Sequence, residues 1–232
     1  MKQTSFLLIA ALLCIGSISA QQQKTIFVPE AGTLKSQLTE EEAKNVTDLT
    51  LTGKINAIDF KAMRDEFNKL ETLDISNANI RMYTGKKGTF SDKFYVYPME
   101  CVPAYAFKDK QTLKAIVLSP SLKNIEDCAF KGCKNLKRCY IKQKKTVNLL
   151  PDAMNDTLVA VFIPLGSKDV YRAKDKWKPY NLIEGEPISV EVIITEPGTL
   201  NQEILKTGKR PYEVNFLSVE GDLDRNDFKE IR

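Results

Sequence analysis

Leu113-Lys114-Ala115-Ile116-Val117-Leu118, Leu136-Lys137-Arg138-Cys139-Tyr140-Ile141 and Leu158-Val159-Ala160-Val161-Phe162-Ile163 share one pattern: a leucine, then apolar residues three and five places on. The starts lie 23 and 22 residues apart. Leu70-Glu71-Thr72-Leu73-Asp74-Ile75 carries the pattern once more, 43 residues ahead of Leu113, a gap of two periods or of one period with an insertion. A second marker keeps the same register, because Ala106-Phe107, Ala129-Phe130 and Ala153-Met154 each precede a pattern by a few residues. Alternating apolar residues give a short strand one apolar face. A single coil cannot bury that face, whereas stacked coils can.

Two markers at one spacing therefore predict a solenoid, and the period falls in the roughly 20–29-residue range of leucine-rich repeats. The expected fold is an α/β solenoid with a parallel β-ladder on its concave face. Its interior is plugged by the Phe of each Ala-Phe pair, and polar turns such as Lys110-Gln111 and Lys131-Gly132 close the coils. Residues beside the central apolar position of each strand point out of the concave face. The expected exposed row is Thr72 and Asp74, Ala115 and Val117, Arg138 and Tyr140, then Ala160 and Phe162. Val117, Tyr140 and Phe162 would form an apolar-aromatic stripe with Arg138 beside it, a composition favoured at protein interfaces. The candidate partner-binding residues are thus Asp74, Val117, Arg138, Tyr140 and Phe162. Seven basic residues and no acidic one lie between Lys131 and Lys145, a local electrostatic rival to that stripe.

Val102-Pro103-Ala104-Tyr105-Ala106-Phe107 and the run Leu122 to Leu136, with Ala129-Phe130-Lys131-Gly132-Cys133 inside it, resemble the signatures of BspA-like leucine-rich repeat proteins of Bacteroides-group bacteria. Ile163-Pro164-Leu165-Gly166-Ser167, followed by Tyr171 and Trp177, resembles the unit that closes such arrays. Met154 departs from the pattern by replacing Phe, as does an insertion around residues 80 to 101. The resemblance implies a cell-surface or secreted protein that adheres to host matrix or to other cells.

The remaining sequence narrows the function class. A net charge of +4 from 34 basic and 30 acidic side chains is too balanced for a chain that coats nucleic acid. The absence of histidine removes Ser-His-Asp and Cys-His catalysis and His-ligated zinc. No phosphate-cradling glycine loop or nucleophile elbow occurs, and no cofactor is expected. Asp222, Asp224 and Asp227 lack the glycine and terminal glutamate of a calcium loop.

Lys2 and the apolar run Phe6 to Ile15, followed by Ser17-Ile18-Ser19-Ala20, read as a secretory signal cleaved after Ala20, with no transmembrane segment left behind. Leu13 before Cys14 argues against a lipoprotein signal. The four remaining cysteines, Cys101, Cys128, Cys133 and Cys139, are expected to be free thiols, because no separation among them matches the period that would stack two of them.

A longer repeat overlies the short one. Glu30-Ala31-Gly32-Thr33-Leu34 returns as Glu196-Pro197-Gly198-Thr199-Leu200, and Gly53, Asp59 and Phe60 return as Gly221, Asp227 and Phe228. The expected organisation is a signal at 1–20, an N-terminal cap unit at 21–69, repeats with a closing unit at 70–184, and an incomplete second copy of the cap at 188–232. The function expected is a non-catalytic binding module for a protein ligand, such as host matrix or another cell-surface protein. The alternative is a secreted glycan-binding accessory or glycan-active enzyme, and no oligomeric state can be read.

Overall fold

Cys139 sits in the middle of a six-residue column in which Leu49, Leu73, Ile116, Cys139, Val161 and Leu182 are successive strand partners, all of them buried. That column is the spine of the molecule. The computed structural model describes residues 22–90, 93–154, 159–186, 188–211, 214 and 216–230. The expected signal peptide, Leu158 and Ile231 lie outside the described residues.

The main sheet has seven strands, all parallel, in the order β1 (Gln23–Val28), β2 (Asp48–Ile55), β3 (Thr72–Ile80), β7 (Ala115–Leu118), β9 (Arg138–Ile141), β11 (Ala160–Ile163) and β12 (Asn181–Glu184). Between β3 and β7 lie the antiparallel pair β4 (Tyr83–Gly85) and β5 (Tyr95–Tyr97) and the short strand β6 (Cys101–Val102). β6 pairs in parallel with β8 (Asn124–Ile125), which pairs with β10 (Asn148–Leu149), so each of these coils contributes a second, shorter rung. Because β3 pairs directly with β7, the 43-residue gap is one coil with an inserted hairpin.

The interior is built as the alternation requires. Phe107 stacks on Phe130 with ring centroids 5.6 Å apart and meets Phe60 edge-on at 5.7 Å. Ala106, Ala129 and Ala153 are buried beside them, and Met154 takes the position of the third aromatic ring. Each fully buried Phe contributes roughly 1.5–3 kcal/mol. The residue before each Ala enters the left-handed region, at Tyr105 (φ 60°), Cys128 (φ 53°) and Asp152 (φ 53°), which turns the chain inward at the same point of every coil.

Lys110 departs from the expected polar turn. It is buried, and its ammonium donates to the Phe67 carbonyl at 2.5 Å and the Arg64 carbonyl at 3.1 Å. These carbonyls lie at and just beyond the C-terminal end of α2 (Ala57–Asp65), where the last carbonyls have no partners within the helix. Lys131 stays on the surface and pairs with Asp152 at 2.9 Å.

At the N-terminal end, α1 (Glu40–Asn45) begins with a capping box between Thr39 and Glu42, and α2 begins with one between Asn56 and Asp59. At the other end, α3 (Lys168–Arg172) and a 3₁₀ turn at Asp175–Trp177 fold over the last coil. Trp177 is buried, touches the rings of Tyr171 and Tyr180, and donates to the Val147 carbonyl at 2.7 Å. It is a packing residue and offers no platform for a sugar.

Further along the chain, β13 (Ser189–Ile194) pairs in parallel with β14 (Phe216–Gly221), with α4 (Leu200–Lys206) between them and α5 (Arg225–Glu230) after them. Val190, Val192, Ile194, Leu200 and Ile204 form an apolar cluster of their own there. Seven parallel strands with few helices, stacked coil on coil, make an α/β repeat fold.

Candidate functional site: the concave strand row

The ladder register places the sequence-derived residues in two adjacent rows. Thr50, Asp74, Val117, Tyr140, Phe162 and Ile183 are successive partners in one. Thr72, Ala115, Arg138, Ala160 and Asn181 are successive partners in the other. Asp74, Val117, Tyr140 and Phe162 are therefore brought together by tertiary pairing alone, with Arg138 in the neighbouring row of the Tyr140 strand.

Their environments differ. Val117, Arg138 and Tyr140 are half-buried. The Tyr140 and Phe162 rings stack at 4.8 Å with an interplanar angle of 22°. Burial pushes the Tyr140 phenol above its ordinary range, opposed by the adjacent Arg138 guanidinium, so the hydroxyl stays a neutral donor and acceptor at neutral pH.

Phe162 corrects the expected exposed stripe, since only 2% of its surface is accessible. It is flanked by Tyr140 and Ile183 in the adjacent strands, and the Tyr140 ring stacked on it excludes water from its face. The accessible aromatic surface of the row thus belongs to Tyr140, with Phe162 as the base on which it lies. Asp74 is also partly committed: its carboxylate accepts the Ser76 amide at 2.8 Å. The register of β2 and β3 shifts at this point, between Thr50 and Thr52, and a displaced amide at a bulge needs such a partner.

Beyond Tyr140 the row opens into a cleft of about 460 Å³ lined by Tyr140, Lys142, Phe162, Leu165 and Glu186, among others. Leu165 is exposed, and Lys142 pairs with Glu186 at 2.7 Å across the rim. Ile183 and Glu186 escaped the sequence reading because β12 lacks the leading leucine of the pattern, and Leu165 enters it only as part of the closing unit. The spacing of 21 residues between Val161 and Leu182 was the available signal.

Cys101, Cys128, Cys133 and Cys139, the four cysteines among the described residues, are buried free thiols. Burial pushes Cys139 up to about 12, Cys133 up to about 12 and Cys101 up to about 11. Such thiols are poor nucleophiles. Two of the acidic residues of the calcium-like string serve the backbone: Asp227 accepts the amides of Gly198, Leu200 and Asp224 at 2.8, 2.9 and 2.8 Å, and Asp224 accepts that of Asn226 at 2.7 Å. No helix among the described residues is long and apolar enough to cross a membrane.

Comparison with curated proteins finds no match to the chain. Residues 97–154, which contain β6 to β10 and all three Ala-Phe or Ala-Met pairs, match the family model described as BspA type leucine rich repeat region (6 copies), and it is to that family that this part of the chain is similar.

Proposed function

We propose that the protein is an exported, non-catalytic leucine-rich repeat module that binds a protein ligand on its concave sheet and acts in adhesion at the cell surface. The carrying observation is the row Val117–Tyr140–Phe162–Ile183, which runs into the cleft framed by Lys142 and Glu186. An apolar and aromatic strip that ends in a pocket with a charged rim suits an aromatic or aliphatic anchor from a protein partner. The family similarity favours protein interaction, and the resemblance to surface proteins of Bacteroides-group bacteria favours host matrix or another cell-surface protein as the partner.

In this reading residues 21–69 cap the array, 70–184 form the repeats and closing unit, and 188–232 are a second copy of the cap. Support comes from matched geometry. Asp59 accepts the amides of Gly32, Leu34 and Asn56 at 2.6, 2.9 and 2.8 Å, the counterparts of the three amides held by Asp227.

The test is binding of purified residues 21–232 to immobilised extracellular-matrix proteins and to a glycan array. Tyr140→Ala is expected to weaken protein binding by about 1–2 kcal/mol. Replacing Lys144 and Lys145, which lie beyond the strand, mainly slows association. Binding to a matrix protein that is unchanged in Tyr140→Ala would remove the concave row from the site, and binding to glycans alone would overturn the reading.

A further inference from the structure

The hairpin inserted between β3 and β7 has an outward face of the wrong polarity. Thr84 and Val96 are cross-strand partners, and by alternation Tyr83, Tyr95 and Tyr97 point the other way. The tyrosine side is packed: Tyr83 stacks on Tyr97 at 5.9 Å, Tyr95 on Phe90 at 5.6 Å, and the Tyr97 hydroxyl accepts the Phe90 amide at 2.8 Å. A hairpin with one packed face ordinarily carries polar residues on the other. Here Phe94, Met82 and Val96, which alternation puts on the Thr84 side, are 67%, 57% and 54% exposed. Arg81, Lys86, Lys87 and Lys93, all exposed, neighbour them in the sequence, the Lys93 ammonium lying 5.3 Å from the centroid of the Phe90 ring, and the sequence from Arg81 to Met99 contains one acidic residue, Asp92.

We infer that this hairpin is a peripheral docking element for an anionic lipid surface. Three exposed apolar side chains in a segment whose exposed charges are cationic match the chemistry of a membrane interface, where apolar groups enter the acyl boundary and Lys or Arg meets the anionic headgroups. A second copy of the chain is a poor occupant, because an isologous contact would set the four cations against their own images. A stable protein partner is disfavoured by size. Three-residue strands span only about 10 Å, and the face they offer falls well short of the roughly 800 Å² per partner of a specific protein interface. A bilayer sets no such minimum and needs no pocket.

The inference is independent of the concave-row reading, since no hairpin residue belongs to that row. Its test is co-sedimentation of residues 21–232, which contain every described residue and lack the apolar leader, with vesicles of phosphatidylcholine and with vesicles of phosphatidylcholine plus phosphatidylglycerol. Binding to the anionic vesicles is expected to exceed that to the neutral ones by at least about tenfold and to weaken with salt. Phe94→Ser with Val96→Ser should lower it by at least about tenfold, and Lys86→Glu with Lys87→Glu should abolish the preference for anionic lipid. All four positions are exposed, and unchanged circular dichroism and melting would verify that the variants fold. Absence of vesicle binding, equal binding to both vesicle types, or anionic binding that survives both double variants would overturn the inference.

Discussion

The Asp59 carboxylate accepts the Leu34 backbone amide at 2.9 Å, joining the start of α2 to a 3₁₀ turn 25 residues earlier. Its other oxygen takes the amides of Gly32 and Asn56, so one buried side chain closes the N-cap of its own helix and anchors a distant turn. Asp227 makes the same three bonds 168 residues on, yet the two groups titrate in opposite directions. Burial beneath the following coil pushes Asp59 above the usual carboxylate range, whereas the amide bonds dominate at Asp227 and pull it below.

Asp59→Ala leaves three amides without their acceptor and is expected to destabilise the repeat array by about 2–4 kcal/mol. Asp227→Ala is expected to loosen only the segment from residue 188 onward, leaving the main unfolding transition in place. Urea unfolding followed by Trp177 fluorescence checks both, because Trp177 lies in the core of the main array. A shifted Trp177 transition in Asp227→Ala would show that the two regions unfold as one.

Gly53 and Gly221 are the clearest backbone requirements in the chain. Each has a positive φ, +88° and +116°, and a Cβ built there would stand 2.2 Å from the carbonyl oxygen of Val28 or Ile194 in the adjacent strand. Gly53→Ala therefore combines left-handed strain with a backbone clash and is expected to cost about 2–4 kcal/mol. A melting temperature unchanged in Gly53→Ala would contradict the close approach of β1 and β2.

Lys110 should give the array a distinctive alkaline pH dependence. Burial lowers it from 10.5 to about 8, so between these values the unfolded chain holds a proton that the folded chain has released. Stability should rise with pH through that window, by about 2–3 kcal/mol relative to Lys110→Met, and the contribution should be flat below pH 8. The measurement is the difference between parent and variant in urea-unfolding free energy at pH 8 and pH 10. An identical slope in both proteins would refute the assignment.

The thiols of Cys101, Cys128, Cys133 and Cys139 should all be countable in denaturant without reductant in residues 21–232, and none should react quickly in the folded protein. Cys139 is enclosed by the ladder, and the Cys133 thiol donates to the Phe107 carbonyl at 2.8 Å. Rapid modification of Cys139 by a thiol reagent under native conditions would mean that the ladder opens locally.

Limited proteolysis should cut first beyond Glu186. Phe228 is 60% exposed, whereas Phe60 is fully buried against Phe107 of the following coil. An apolar residue without its covering ring marks a weakly held helix. Protection there equal to that of residues 105–165 would show that the segment is docked.

The repeat was legible in the sequence because its two markers are local. Leucine, strand alternation and the Ala-Phe pair recur at a period set by the length of one coil, and a stacked coil must satisfy all three together. This determined the parallel ladder, the buried place of Cys139 beside Ile116 and Val161, the free thiols and the row holding Val117 and Tyr140. Exposure within that row was decided only in three dimensions. Phe162 obeys the same alternation as Tyr140, yet its cover comes from neighbours that no local pattern specifies. Lys110 reads as a turn residue and becomes buried because two carbonyls left over at the end of α2 lie within its reach. The inserted hairpin was visible only as an irregularity in spacing, and the outward turn of Phe94 and Val96 follows from which face the tyrosines take. Periodicity reports what each coil must bury. What it leaves in water depends on contacts between residues far apart in the chain, and those exist only once the coils have stacked.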